Sequence, residues 1–326
     1  MSSSGASLST VIIGSENIET ALRFYRDFIG MDVVEGFDLE GPAFEMHWQL
    51  PAGTRAEAVL LQASDCAFGQ VLLLNFKDAA AQRIRQREDR SFVGLFNLNF
   101  YVDNVIAVAA DLKEHGFDLW SQPVMPETPS DQGQVVEVLF EGPDGVVMNL
   151  VQLVGGDETT IIGNLRADVQ AHGMTRTGFT PVATSAHIVA DAEPAIEFYR
   201  DVLGMTAIMD VVMSSPETNE VLQRPKDGRT RFTLMSGNHM FGKVAVSNPV
   251  NYDVPSLVDK AMPPSIGYFG QSFVVNDLNQ TIDKATEIGV SVFSPPTEIK
   301  VPGLGDRQAV VMRCPGSSAL IELVAA

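Results

Sequence analysis

The chain is poor in the residues that build metal centres and disulfide frameworks: it has two cysteines and five histidines in 326 residues. Cys66 and Cys314 lie far apart and in no CxxC or other metal-type spacing, so they read as idle thiols of a reducing compartment. No apolar run approaches the ~18 residues that span a bilayer. The opening stretch MSSSGASLST carries neither the basic nor the apolar segment of a secretion signal. A cytoplasmic location is therefore expected. Positive charge is scarce as well, with 22 Lys and Arg against 41 Asp and Glu and a formal net charge of -19. Nucleic acid and anionic membranes repel such a surface, which excludes both as partners. A small organic molecule remains as the partner class, taken by a monomer or a homodimer.

What the chain does have is a repeat. LRFYRDFIGM at 22–31 returns as IEFYRDVLGM at 196–205, and AFGQVLLLNF at 67–76 returns as MFGKVAVSNP at 240–249. The near-constant offset marks two copies of one module, over 1–155 and 182–326, joined by a linker at 156–181 with little strand pattern. Each copy is itself doubled. STVIIGS, an amphipathic stretch with Ile18, Ala21, Leu22, Tyr25 and Ile29 at helical spacing, AEAVLLQAS and GQVLLLNF form the first half. LFNLNFYV, DNVIAVAADLKEHG, QVVEVLFEG and GVVMNLVQLV restart the order, and the second copy repeats it. The fold class is α+β, with four βαβββ units in two modules.

FYRDxxGM closing the first helix, with PDG before the last strand of one copy and PGSSALIEL closing the other, resembles the vicinal oxygen chelate superfamily. That group includes glyoxalase I, bleomycin-resistance proteins, fosfomycin-resistance enzymes and extradiol dioxygenases. The resemblance covers nearly the whole chain outside the linker. It implies that each module forms a curved mixed sheet around a cavity, with metal ligands on the inward faces of the first strands, usually His and sometimes Gln or Glu, and of the last strands, a Glu. Counting back from Phe24 and Phe198 places Thr10 and Thr184 at the first-strand positions, and Asn97 and Gly270 in the second units. The last-strand positions read Asn149 and Glu322. Neutral Thr and Asn oxygens hold a transition metal poorly. No metal site and no cofactor are therefore expected.

Strand alternation sets the remaining candidates. Thr10, Asn97, Asn99, Asn149, Thr184 and Ser272 are expected to line a cavity and bind substrate, with Asn75 and Asn248 at matching strand ends. Glu322, flanked by Leu320, Ile321, Leu323 and Val324, suits a general acid or base. Tyr101 is a candidate proton donor or stacking wall. His187 faces the cavity only in a shifted register, and otherwise the helix. His47, in FEMHWQL, reads as part of a solvated edge strand beside Glu45 and Gln49. Pro-, Gly- and Asp-rich stretches at 126–136 and 295–311 read as loops over cavity mouths, and Met205, Met209, Met213, Met235 and Met240 as core or pliable pocket.

Three functions compete. One is a metal-independent lyase, isomerase or hydrolase acting on a small, largely apolar substrate through Glu322. Another is a non-catalytic binder that sequesters a small molecule. The third is an Fe(II) or Mn(II) extradiol-type dioxygenase, for which Glu322 is the one expected ligand present.

Overall fold

The computed structural model describes residues 5–77, 79–123 and 133–326. The first unit runs β1 (Leu8–Gly14), α1 (Ile18–Leu22, continued as a π-helix over Arg23–Phe28), β2 (Asp32–Leu39), α2 (Pro42–Trp48), β3 (Arg55–Gln62) and β4 (Gln70–Lys77). The second is β5 (Gly94–Tyr101), α3 (Val105–Glu114), β6 (Gln134–Glu141) and β7 (Val147–Val154). The connecting segment holds α4 (Ile161–His172). The third unit is β8 (Thr184–Ile188), α5 (Ala192–Glu197, continued as a π-helix over Phe198–Val202), β9 (Thr206–Met213), α6 (Pro216–Val221), β10 (Thr230–Ser236) and β11 (Lys243–Pro249). The fourth is β12 (Gly267–Val275), α7 (Leu278–Glu287), β13 (Ser291–Val301), β14 (Gly305–Arg313) and β15 (Leu320–Ala325). Every unit turns from its first strand into its helix through an Asn or Asp cap: Asn17, Asn104, Asp191 and Asp277 each accept a backbone N–H of the first turn.

The repeated decapeptide explains itself at this level. Phe24, Tyr25, Phe198 and Tyr199 are buried against the sheets. Arg26 and Asp27 pair with each other at the surface, as do Arg200 and Asp201. Gly30 and Gly204 turn the chain at φ +85 and φ +69, a conformation side chains resist. The ten residues specify scaffold.

The sheets do not follow the two sequence copies. An eight-stranded sheet has the order β13-β14-β15-β12-β1-β4-β3-β2, and a seven-stranded sheet β6-β7-β5-β8-β11-β10-β9. The fourth unit thus joins the first, and the second joins the third. The expectation of one cavity inside each copy is corrected accordingly. The second and third units are neighbours in the chain, and β5 pairs antiparallel with β8. The outer two units then close on each other through β1 and β12. One face of each sheet packs on the helices in a shared core that includes Val11, Ile13, Leu98, Phe100, Tyr199 and Phe273. The opposite faces, carrying Ile12, Leu72, Phe96 and Ala186, are lined by a second apolar cluster.

Two other expectations change. The stretch at 295–311 is the β13–β14 hairpin and not a loop. The segment 124–132, which holds most of the loop expected at 126–136, lies outside the described residues.

Candidate functional site

Each sheet carries a row of four side chains on one face of its central strands. In the eight-stranded sheet the register sets Gln70 beside Thr10, Thr10 opposite Ser272, and Ser272 beside Glu322. In the seven-stranded sheet Lys243 lies beside Thr184, Thr184 opposite Asn99, and Asn99 beside Asn149. The rows are the two copies' equivalents of one another. Asn97 and Gly270, expected at these places, fall two residues short. Both strand pairs carry register irregularities, between Leu95 and Asn97 and between Ile12 and Ile13, which counting from the helix does not reveal.

The first cavity, about 350 Å³, lies over the eight-stranded sheet with Thr10, Ser272 and Glu322 in its lining. Aromatic Phe44 and Trp48 wall it, and Asp38, Glu40, Glu298, Lys300 and Asp306 add charge. Its polar floor is largely closed on itself, with His47 Nδ1 the one buried atom of the network left without a partner among the described residues. The His47 imidazole Nε2–H donates to Glu322 Oε1 at 2.8 Å, and Ser272 Oγ donates to Glu322 Oε2 at 2.5 Å. Thr10 Oγ1 donates to Gln70 Oε1 at 3.3 Å, and Gln70 Nε2 to Gln62 Oε1 at 2.8 Å.

His47 reaches Glu322 because FEMHWQL is helical, correcting the edge-strand expectation. Pro42 opens α2, and Gln49 ends it in the left-handed region at φ 52. The fully buried His47 ring stands edge-on to Trp48, 4.8 Å between centroids.

The second cavity, about 490 Å³, lies over the seven-stranded sheet and is walled mainly by apolar side chains such as Val151, Leu165, Met209, Val211, Met213 and Phe232. Asn97, Asn99, Tyr101, Asn149 and Thr184 all line it, as expected from alternation. Met209 and Met213 belong to its wall, while Met205 and Met235 are core. The linker helix α4 contributes Ile161, Ile162 and Leu165. Both cavities are built from one chain's residues.

Asn97 Nδ2 donates to Asn99 Oδ1 at 2.5 Å, and Asn149 Nδ2 donates to Glu137 Oε2 at 2.9 Å. The apolar surroundings push Glu137 above the usual carboxylate range, against the Asn149 hydrogen bond and the Arg224 charge. Burial lowers the Arg224 guanidinium, against the charges of Tyr252 and Glu137. It also pushes the Tyr101 phenol up to about 12, against the hydrogen bond from Thr184. Lys243, fully buried, donates to the Met240 carbonyl and sits 5.6 Å from the Tyr101 ring centre. Burial brings its ammonium down to about 7.

Three expected site residues lie elsewhere. His187 is on the helix-facing side of β8, where Nδ1 meets Tyr199 Oη at 2.9 Å and Nε2 meets Ser317 Oγ at 2.6 Å. Tyr199 continues to Gln271, and Gln271 to Ser185, so this network ties the two sheets together. Burial drives the imidazole down to about 3. Asn75 and Asn248 each donate twice to the turn before a helix, at Ser15 and Glu16 and at Val189 and Ala190.

Four residues of the two sites escaped the sequence reading. Gln70 and Lys243 stand at the same place of the quoted repeat, each directly after Phe-Gly, so the alignment itself could have found them. Arg224 follows α6 in QRP (223–225) as Leu50 follows α2 in QLP (49–51). Glu137 has no repeat partner to point at it.

Neither row fits the metal that the resemblance implies. The first offers two hydroxyls, an amide and one carboxylate whose oxygens both accept hydrogen bonds. The second offers two amides, a hydroxyl and an ammonium, which repels a cation. Among the described residues no group of three or more His, Cys, Asp or Glu is placed to hold a metal ion.

Two curved mixed sheets, each made of paired units around a lined cavity, define a vicinal oxygen chelate architecture. The profile of the Glyoxalase/Bleomycin resistance protein/Dioxygenase superfamily matches residues 7–150 and 182–305, and the chain belongs to that superfamily. Glyoxalase I from Zea mays is similar in structure, with a TM-score of 0.61 at 14% identity over 98% of this chain and 92% of that one. A candidate dioxygenase from Bacillus subtilis gives a TM-score of 0.55 at 13% identity over 99% and 86%. At these identities the likeness is one of fold. No curated protein sequence matches the chain.

Proposed function

We propose that the protein is a metal-independent member of the superfamily that binds a small, largely apolar organic molecule in the second cavity and acts on it by acid–base chemistry through Glu137. One observation carries this reading: a largely apolar cavity of about 490 Å³ is lined by a carboxyl group that, among the described residues, a single side chain, Asn149, contacts by a hydrogen bond. A carboxyl that its apolar surroundings raise above the usual carboxylate range is suited to exchange a proton with a bound molecule. Asn97, Asn99, Thr184 and Tyr101 supply the few polar groups that orient a bound molecule.

The experiment is native mass spectrometry of protein purified from its own host, comparing wild type with Ala245→Phe, which fills the cavity wall. A co-purifying small molecule held by wild type and lost in Ala245→Phe supports the site, and retention in the variant refutes it. Incubated with that molecule, Glu137→Gln binds it and turns it over about a hundredfold or more slower if Glu137 is the acid or base. Return of the molecule unchanged by wild type makes the protein a binder.

A second reading places the chemistry at Glu322. It is favoured by the fixed orientation that His47 and Ser272 give this carboxylate in the first cavity. Under it, Glu322→Gln and not Glu137→Gln abolishes turnover.

A further inference from the structure

The second cavity contains two polar atoms that the protein leaves without partners. Arg224 Nη1 is buried and donates to nothing among the described residues, and Asn149 Oδ1 is buried and accepts from nothing. Both residues line the cavity, and Asn149 is 6% exposed. Toward the ionised form of Glu137, which only accepts, Asn149 turns its Nδ2, at 2.9 Å from Oε2, so the atom left free is the acceptor oxygen. The guanidinium lies close enough to Glu137 for their charges to interact. The two unpartnered atoms therefore belong to the lining of one cavity, Arg224 Nη1 offering a donor and Asn149 Oδ1 an acceptor.

A buried guanidinium without an acceptor is costly, and so is a buried amide oxygen without a donor. Natural structures keep such pairs where a ligand completes them. The complement of an arginine fork is a carboxylate, which it takes in two parallel hydrogen bonds. The complement of an amide oxygen is a hydroxyl. The rest of the wall, Val211, Met213, Phe232 and Leu234 among it, is apolar.

Resting on the cavity assignment made above, we infer that the ligand is an apolar hydroxycarboxylic acid, its carboxylate received by Arg224, its hydroxyl by Asn149, and its hydrocarbon body by the apolar wall. Arg224 comes from the turn after α6, and the equivalent turn in the first copy carries Leu50. The specificity element is thus confined to one of the two cavities.

Calorimetric titration of the full chain with 2-hydroxyoctanoate, octanoate and 2-octanol tests this without relying on any variant. The expected order is 2-hydroxyoctanoate, then octanoate about tenfold weaker for the lost hydroxyl contact, then 2-octanol weaker again by tenfold or more for the lost carboxylate. Arg224→Met is expected to bind 2-octanol as wild type does and to lose the preference for the acids. Its ligand-free Tm is expected to stay level or rise, because a guanidinium that burial disfavours and whose Nη1 has no hydrogen-bond partner among the described residues has gone. Equal binding of 2-octanol and the acids by wild type overturns the inference while leaving the cavity assignment standing. So does an Arg224→Met variant that keeps the preference, or one that loses Tm without ligand. Failure of all three compounds to bind, or their undiminished binding to Ala245→Phe, refutes the cavity assignment itself.

Discussion

The two cavities are built from the same repeat and have been finished in opposite ways. Over the eight-stranded sheet the polar residues largely satisfy one another: His47 and Ser272 occupy Glu322, Gln62 and Gln70 close on Thr10, and among the described residues of this network His47 Nδ1 alone is buried without a partner. Over the seven-stranded sheet the equivalent row holds a lysine, and Asn149 and Arg224 leave hydrogen-bonding capacity unspent among the described residues. A closed network raises stability and a unique packing. An open one lowers stability and is kept where something else completes it. In each copy the segment between the second and third strands supplies a basic side chain, but α2 brings His47 into a hydrogen bond with a carboxylate, whereas the turn after α6 brings Arg224 to the cavity lining with Nη1 unpartnered.

Removing a partner from the closed network has the largest expected effect. His47→Ala leaves the buried Glu322 with one donor and opens a void beside Trp48, so urea unfolding should show a loss of about 3–5 kcal/mol. Arg224→Met should lose none. If His47→Ala costs less than about 1 kcal/mol, the first cavity is no more closed than the second and the contrast fails.

Lys243 sharpens the contrast through pH. Its folded value of about 7 lies below the free value of 10.5. Between those limits the unfolded chain binds more protons than the native one. Wild-type stability therefore rises with pH from about 7 toward 10.5, and the burden on the native state is fully present below 7. Lys243→Met should stabilise the protein at pH 6, by roughly 2 kcal/mol on the scale of replacing buried charge by apolar volume. The gain should shrink toward pH 10. Gln70→Leu, its counterpart, should show no such slope. A pH-independent effect in both would mean that Lys243 carries no buried charge.

How far the sequence could carry this contrast follows from which interactions are local. The repeat, the capped helices and the alternation that sets Thr10, Thr184, Asn149 and Glu322 inward were all legible, because periodicity and turn chemistry are written in adjacent residues. The pairing of units across the two copies was not, since strand edges choose partners in three dimensions. His47 was misread because α2 is a seven-residue helix stabilised by tertiary contacts and not by its own propensity. Glu137 and Arg224 were missed for a related reason: a lone charged residue in a strand or turn looks solvated until its apolar surroundings are known. The scaffold lay in the pattern, whereas the site lay in departures from it.

The smallest predicted effect is the control for all the others. Asn75 and Asn248 occupy matching ends of β4 and β11, and each side-chain amide donates to two carbonyls of the turn leading into α1 or α5, at 2.8 and 3.0 Å in one copy and 3.1 and 3.0 Å in the other. Alanine at either place leaves those two carbonyls to water at a half-exposed turn, a loss of about 1–2 kcal/mol. Because the two donations are the same in both copies, and the bond that Asn75 alone accepts from Lys77 is solvent-exposed and worth little, the two variants should agree within about 0.5 kcal/mol in urea unfolding. Agreement would show that the repeat still shares its scaffold energetics, so that differences between His47 and Arg224, or between Gln70 and Lys243, belong to the sites. A gap of more than about 1 kcal/mol between Asn75→Ala and Asn248→Ala would mean that the copies have diverged in the frame as well, and site differences could no longer be separated from it.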